Sequence, residues 1–78
     1  MGASRHGWRA SAVRCYAGVE HAERPVSFSW EERDMPVDEV EGAWREPEAR
    51  AFRVLAAGRR FELRYRERAD EWDIREVA

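Results

Sequence analysis

The sequence has 78 residues, of which 14 are positively charged and 16 are acidic, so the formal net charge is −2. This length allows one small domain and excludes a second core. Only 13 residues are Leu, Ile, Val or Phe, but the four Trp and the near-neutral charge argue against disorder, and we expect a compact core built on aromatic side chains.

Residues 1–12 contain small residues, two Gly and two Arg, without the periodicity of a helix or a strand, and we interpret them as a flexible tail. From Val13 onward apolar and polar residues alternate, which indicates the strands of an antiparallel meander. The first two predicted apolar faces consist of Val13, Cys15, Ala17 and Val19, and of Val26, Phe28 and Trp30.

The next hairpin is predicted to turn over residues 31–34, which places Trp30 opposite Met35 and Phe28 opposite Val37. Both pairs are apolar and lie on one face, as a buried face requires.

Beyond this hairpin the apolar residues change from odd to even numbers, with Val40 and Trp44 continuing the buried face. One extra residue at 38–39 would produce that change, so we predict a β-bulge there. A helical turn over 37–44 is the alternative, because the apolar residues also fit helical spacing.

Pro47 belongs in a turn because it lacks the N–H that a strand ladder needs. Pairing residues whose numbers sum to 96 places Trp44 opposite Phe52 and Glu46 opposite Arg50.

The last two hairpins have registers that the charges specify. A turn at 57–58, with paired numbers that sum to 115, sets Phe52 opposite Leu63 and Arg53 opposite Glu62. A loop over 67–70, with a sum of 137, gives five complementary pairs: Tyr65 with Trp72, Leu63 with Ile74, Glu62 with Arg75, Arg64 with Asp73, and Arg66 with Glu71. Shifting the register of this last hairpin by two residues would place like charges opposite each other, which is unfavourable.

We therefore predict an all-β antiparallel meander of five to six strands that closes into a small SH3-like barrel. Residues 1–12 form the flexible tail and residues 13–78 the single β domain.

No catalytic constellation is visible, and we expect a protein that is not an enzyme, with no cofactor and no metal. Cys15 and His21 are the thiol–imidazole pair to consider, but Cys15 lies on an apolar strand face and His21 in the polar stretch 20–23, which favours a buried, inert thiol. His6 adds no paired ligand spacing of the kind that metal sites have.

Nucleic-acid binding is an alternative with a specific charge argument. Residues 1–30 carry +2, residues 31–48 carry −6, and residues 49–78 carry +2, so the middle hairpin would repel phosphates. Candidate contacts are the arginines without a register partner: Arg5, Arg9, Arg59, Arg60 and Arg68.

The aromatic residues Trp30, Trp44, Tyr65 and Trp72 share the inward parity, which favours core packing over an exposed peptide groove. Trp8 is different, because no pattern buries it.

A meander that does not fully close exposes an edge strand with unpaired backbone groups. The strand 13–19 carries only one outward charge, so Arg14, Tyr16 and Gly18 form the predicted partner edge.

Seven short segments carry a resemblance to a known family: Val13-Arg14-Cys15-Tyr16-Ala17-Gly18, Arg24-Pro25-Val26-Ser27-Phe28, Val37-Asp38-Glu39-Val40, Trp44-Arg45, Phe52-Arg53-Val54, Phe61-Glu62-Leu63 and Asp70-Glu71-Trp72-Asp73-Ile74. In that order, over about residues 13–76, the chain resembles an uncharacterised family of short bacterial all-β proteins of unknown function. Similar segments lie near the C-termini of Y-family polymerase-like mutagenesis proteins. The resemblance implies a small β fold and an association with lesion bypass, and it brings no catalytic residues.

The expected function is a non-enzymatic interaction module that binds a protein or peptide partner. The alternatives are a single-stranded nucleic-acid-binding accessory domain and a self-associating domain, with a homodimer as one form. The single cysteine, the missing signal segment and the short apolar runs favour a bacterial cytoplasm without membrane contact.

Overall fold

The computed structural model describes residues 7–17 and 23–77 and contains eight antiparallel strands. They are β1 (Arg9–Ser11), β2 (Val13–Ala17), β3 (Glu23–Trp30), β4 (Arg33–Pro36), β5 (Glu39–Glu46), β6 (Ala49–Ala56), β7 (Arg59–Arg66) and β8 (Glu71–Val77). The predicted all-β class is confirmed, and the helical turn over 37–44 is wrong because β5 occupies most of that segment.

Two sheets form the fold: a five-stranded sheet in the order β1-β8-β7-β6-β5 and a three-stranded sheet in the order β2-β3-β4. The chain passes from one sheet to the other at Ala12 and again at residues 37–38. Backbone bonds hold both corners, since Ser29 N–H donates to Ala12 O at 3.0 Å and Asp38 N–H donates to Leu55 O at 2.8 Å. The fold thus has eight strands in two antiparallel sheets, more than the five to six strands predicted.

The core lies between the two sheets and is mainly aromatic. Phe61 is fully buried, and the rings of Phe28 and Trp30 meet it edge-on with centroids 4.9 and 5.3 Å away. The remaining buried members of this cluster are Met35, Phe52, Val54, Ala56, Leu63 and Ile74. Edge-to-face pairs of this kind stabilise a core beyond the area that they bury.

Both registers specified by charge are confirmed. Leu63 pairs with Ile74 across β7 and β8, and Phe52 pairs with Leu63 across β6 and β7. The turn over residues 67–70 also lies where the sequence placed it.

The predicted tail ends earlier than residue 12. Arg9–Ser11 forms β1, and Arg9 pairs with Ile74 of β8. The expectation of a flexible tail over residues 9–12 is therefore wrong, because this short segment supplies the edge strand beside β8. Residues 1–6 lie outside the described residues.

The hairpin between β3 and β4 turns more tightly than predicted. Its loop is only Glu31-Glu32, so Phe28 pairs with Met35 and Trp30 with Arg33. Both glutamates have positive φ, 52° and 66°, as the type I′ turn of a two-residue hairpin requires. The predicted register is off by two residues, which preserves the face of every side chain and explains why Phe28, Trp30 and Met35 are buried. Val26, assigned to the same face, is 42% exposed, so its predicted burial is wrong.

The hairpin between β5 and β6 differs by one residue, and that difference changes faces. The bulge lies at Glu41 and not at 38–39, so Val40 pairs with Val54 but Trp44 pairs with Ala51. Because a bulge inserts one residue, it reverses the alternation beyond it. The predicted inward position of Trp44 is wrong, and its side chain is 41% exposed.

Candidate functional site

The outer face of the five-stranded sheet carries small residues on its central strand and large ones on both neighbours. In β6, Ala49 lies between Glu46 of β5 and Arg66 of β7, and Ala51 lies between Trp44 and Arg64. Directly opposed residues project from the same face of a sheet. The small side chain of Ala49 leaves a groove at the turn end of β6, whereas Ala51 is covered by its neighbours and does not line it.

We call this feature the alanine groove. It encloses about 290 Å³, and its floor at Ala49 is buried beneath the side chains around it. The lining residues are Glu46, Pro47, Glu48, Ala49, Arg64, Arg66, Arg68 and Ala69. One wall is thus built by arginines of β7 and the following turn, and the other carries carboxylates of β5 and its turn.

Arg66 of the arginine wall is held by carboxylates of β8. Its Nε donates to Asp73 Oδ2 at 2.8 Å, and its Nη2 donates to Glu71 Oε1 at 2.8 Å. The hydrogen bond to Asp73 raises the pKa of Arg66 above its ordinary value. This guanidinium is therefore fixed in place with most of its donors in use.

Arg64 is held differently. Its guanidinium carbon lies 4.2 Å from the centroid of the Trp8 ring, while Asp73 approaches its Nη2 no closer than 4.0 Å. The Nε of Arg64 is buried and has no hydrogen-bond partner among the described residues. The aromatic contact therefore fixes this arginine without filling its hydrogen-bonding capacity.

The ends of the groove carry further polar groups. Arg68 lies exposed in the β7–β8 turn, and its side chain makes no ion pair with the described residues. On the opposite wall, Trp44 Nε1 donates to Glu46 Oε2 at 3.0 Å. Glu48 is exposed beside Pro47 and has a φ of 68°. Carboxylates thus line one side of the groove and arginine side chains the other, with the guanidinium of Arg66 held by β8.

A charge ladder borders the groove on the same face. Glu62 is buried, and it accepts hydrogen bonds from Arg53 at 2.6 Å and from Arg75 at 2.9 Å. Burial raises the pKa of Glu62, but the hydrogen bonds from the two arginines outweigh it and bring the pKa below its ordinary value. Trp8 also covers Arg75, at 4.6 Å from the ring centroid.

The structure does not bring the predicted nucleic-acid contacts together. Neither Arg59 nor Arg60 has a charged register partner, as predicted, but their charges are neutralised by carboxylates elsewhere: Arg59 forms two hydrogen bonds with Glu76, and Arg60 donates to Glu41 at 2.9 Å. They begin β7, whereas Arg68 follows its far end.

Arg9, on β1, lies 4.5 Å from the centroid of the Trp30 ring and 3.7 Å from a Glu31 oxygen. Arg5 lies outside the described residues. Four of the five candidates can therefore be placed, and only Arg68 has an unpaired side chain in the described part of the chain.

The predicted partner edge is present in part. β2 ends the three-stranded sheet and pairs only with β3 among the described strands, through Arg14 to Ser27 and Tyr16 to Arg24. The pairing shifts register just after Arg14, and such irregularity weakens a strand as a template for pairing. Gly18 lies outside the described residues.

The four aromatic residues considered for a peptide groove do not meet at one place. Trp30 is buried in the core and Trp44 projects from the outer face. Tyr65 and Trp72 pack together with ring centroids 5.0 Å apart. Sequence reasoning missed the alanine groove because its signal, Ala49 between Glu46 and Arg66, can be recognised only in the observed β5–β6 register.

Cys15 is half-buried in β2, so the predicted burial of the thiol is only partial. His6 and His21 lie outside the described residues. Within residues 7–17 and 23–77, no group of three or more His, Cys, Asp or Glu side chains is arranged to hold a metal ion.

Comparison of the chain with protein-family models, with curated proteins and with solved structures found no match. In the part of the chain that the structure describes, no helix is long and apolar enough to cross a membrane.

Proposed function

We propose that this protein is a non-enzymatic interaction module that holds an extended segment of a partner protein in the alanine groove. The observation that supports it is the position of Ala49, a small residue flanked by Glu46 and Arg66 on the open face of the sheet. The walls stand two strand spacings apart, about 10 Å, which is wide enough for one extended chain.

The charges around the groove favour a polypeptide over a nucleic acid. Glu46 and Glu48 line one wall while arginines line the other, so a phosphate backbone would meet repulsion along half of the groove. A polypeptide can present both signs of charge and backbone hydrogen-bonding groups along the same length. Peptide binding therefore stays the first proposal, with single-stranded nucleic acid and self-association as the alternatives.

The cellular setting is part of the same proposal. A chain with one cysteine and a family resemblance to short bacterial proteins is expected to act in a bacterial cytoplasm. The similar segments in mutagenesis proteins suggest partners from lesion bypass.

A displayed library of random peptides, captured on the full chain, tests the proposal. We expect the native protein to enrich a defined set of sequences and Ala49→Leu, which fills the groove floor, to capture them at least about tenfold less. Ala43→Leu is the matched control, because Ala43 is an exposed alanine of β5 that is adjacent to Trp44 and so projects from the other face. Thermal unfolding of both variants establishes that they fold.

Enrichment that survives Ala49→Leu, or no enrichment at all, would contradict the proposal. Titration with labelled oligonucleotides separates the first alternative, since phosphate contacts make affinity fall steeply with salt. Sedimentation of the native chain separates the second, because a self-associating domain would sediment as a dimer at micromolar concentration.

A further inference from the structure

We infer that the alanine groove selects extended segments carrying an acidic side chain, which Arg64 and Arg68 receive. This inference rests on the proposed function and adds the chemistry of the partner. It commits to Asp or Glu side chains within a segment, and not to a chain terminus.

Arg66 is the less suitable receiving group. Asp73 and Glu71 of β8 hold its Nε and Nη2 at 2.8 Å each, so a ligand carboxylate could reach only the Nη1 donors without displacing one of them. Its role is to fix the centre of the arginine wall.

Arg64 has the capacity that Arg66 lacks. Asp73, its nearest carboxylate, is already bound to Arg66 and stays 4.0 Å away, and the buried Nε has no partner among the described residues. The Nε atom is buried and out of a ligand's reach, but the Nη groups of this guanidinium form no hydrogen bond with the described residues. A ligand carboxylate would be received by these Nη groups through charge-assisted hydrogen bonds.

Trp8 prepares Arg64 for this role. Its ring lies 4.2 Å from the guanidinium carbon and covers one face, which restricts the side chain before any ligand arrives. A receiving group that is already ordered loses less conformational entropy on binding, and affinity gains by that amount.

Arg68 supplies a second positive charge at the end of the same groove. Its neighbour Glu67 is bound to Arg45 at 2.8 Å, and the side chain of Arg68 makes no ion pair with the described residues. On the other wall Glu46 and Glu48 repel a carboxylate, so the acidic side chain of the ligand is directed towards β7.

The test uses the displayed library, in which the randomised segment has no free C-terminus. We expect Asp and Glu to be several-fold enriched among peptides captured by the native chain and to return to the naive frequency with Arg64→Gln/Arg68→Gln. Arg33→Gln is the matched control, since Arg33 is an exposed arginine of β4 without an ion pair in the described residues. Arg68 lies in an exposed turn, so Arg68→Gln alone should leave the fold intact, and its effect on peptide capture reports on binding.

The best captured peptide is then synthesised with its acidic residue replaced by the corresponding amide, and we expect about tenfold weaker binding. Enriched peptides that need Ala49 but show no acidic preference would overturn this inference and leave the proposed function standing. If no peptide is enriched, both this inference and the proposed function are wrong. If a synthetic peptide binds only with a free C-terminus and not when amidated, the assignment to a side chain is wrong.

Discussion

Glu62 Oε2 lies 2.6 Å from Nη2 of Arg53, although the carboxylate is one of the few charged groups that the fold buries. Arg75 approaches the other oxygen of Glu62 from the opposite strand, at 2.9 Å. A buried carboxylate between two guanidiniums links three strands of the large sheet, and its charge state should therefore affect stability.

The pH dependence of unfolding tests this arrangement. Because the pKa of Glu62 is lower in the folded protein, its contribution is fully present above its ordinary pKa of 4.5 and is lost as the pH falls through the folded-state value. We expect Glu62→Gln to lower the free energy of unfolding by about 1–3 kcal/mol at pH 7, and by less at pH 3. Urea denaturation at both pH values measures it. An equal loss at pH 7 and pH 3 would contradict the assignment.

Asp73 should couple to Arg66 more strongly than to Arg64, although Arg64 is its direct register partner. Double-mutant cycles with alanine are expected to give a measurable coupling for Arg66 with Asp73 and almost none for Arg64 with Asp73. The reverse order would show that the 4.0 Å contact closes in solution and would weaken Arg64 as a receiving group.

Trp44 and Trp30 should differ sharply in their contribution to stability. Trp30 is 6% exposed and Trp44 is 41% exposed, because the Glu41 bulge turns the latter outward. We expect Trp30→Ala to cost about 3–5 kcal/mol and Trp44→Ala less than about 1 kcal/mol. Equal losses of unfolding free energy in urea denaturation would indicate that Trp44 lies in the core. Trp44 would then not contribute to the surface around the groove.

The Glu31-Glu32 turn should be open to stabilisation. Both residues adopt positive φ, which costs an L-residue with a Cβ roughly 1–2 kcal/mol. Replacement by Asn-Gly, the preferred type I′ pair, should raise the melting temperature by several degrees, even after loss of the exposed Arg9–Glu31 contact. Asp34→Asn is a suitable control. An unchanged melting temperature would indicate a different turn.

The registers that could be predicted from sequence are those where opposite charges face each other, as Glu62 faces Arg75 and Arg53. The two misplaced hairpins turn through Glu31-Glu32 and through Pro47-Glu48, where glutamates adopt the positive φ that Gly or Asn usually supplies. Pro47 marked the position of the second turn, but neither turn has a Gly or Asn that would fix its type, so their loop lengths could not be derived.

The alanine groove could not be predicted from the sequence for the same reason. A slip of one residue in the β5–β6 pairing moves Trp44 to the other face and removes its contact with the row of Ala51 and Arg64. The nature of the individual residues was visible in the sequence, but their grouping depended on a bulge at Glu41.

The pairing of Arg9 with Ile74 has a consequence for how the chain folds. The two strands that carry these residues, β1 and β8, come from opposite ends of the described chain. Their contact therefore closes the longest loop among the strand pairs, and closing that loop carries a correspondingly large entropic cost. During synthesis on a ribosome, β1 would emerge before the other strands and would remain unpaired until β8 had been synthesised. Folding of this domain is therefore expected to be slow for its size and to be completed only after translation has passed Val77.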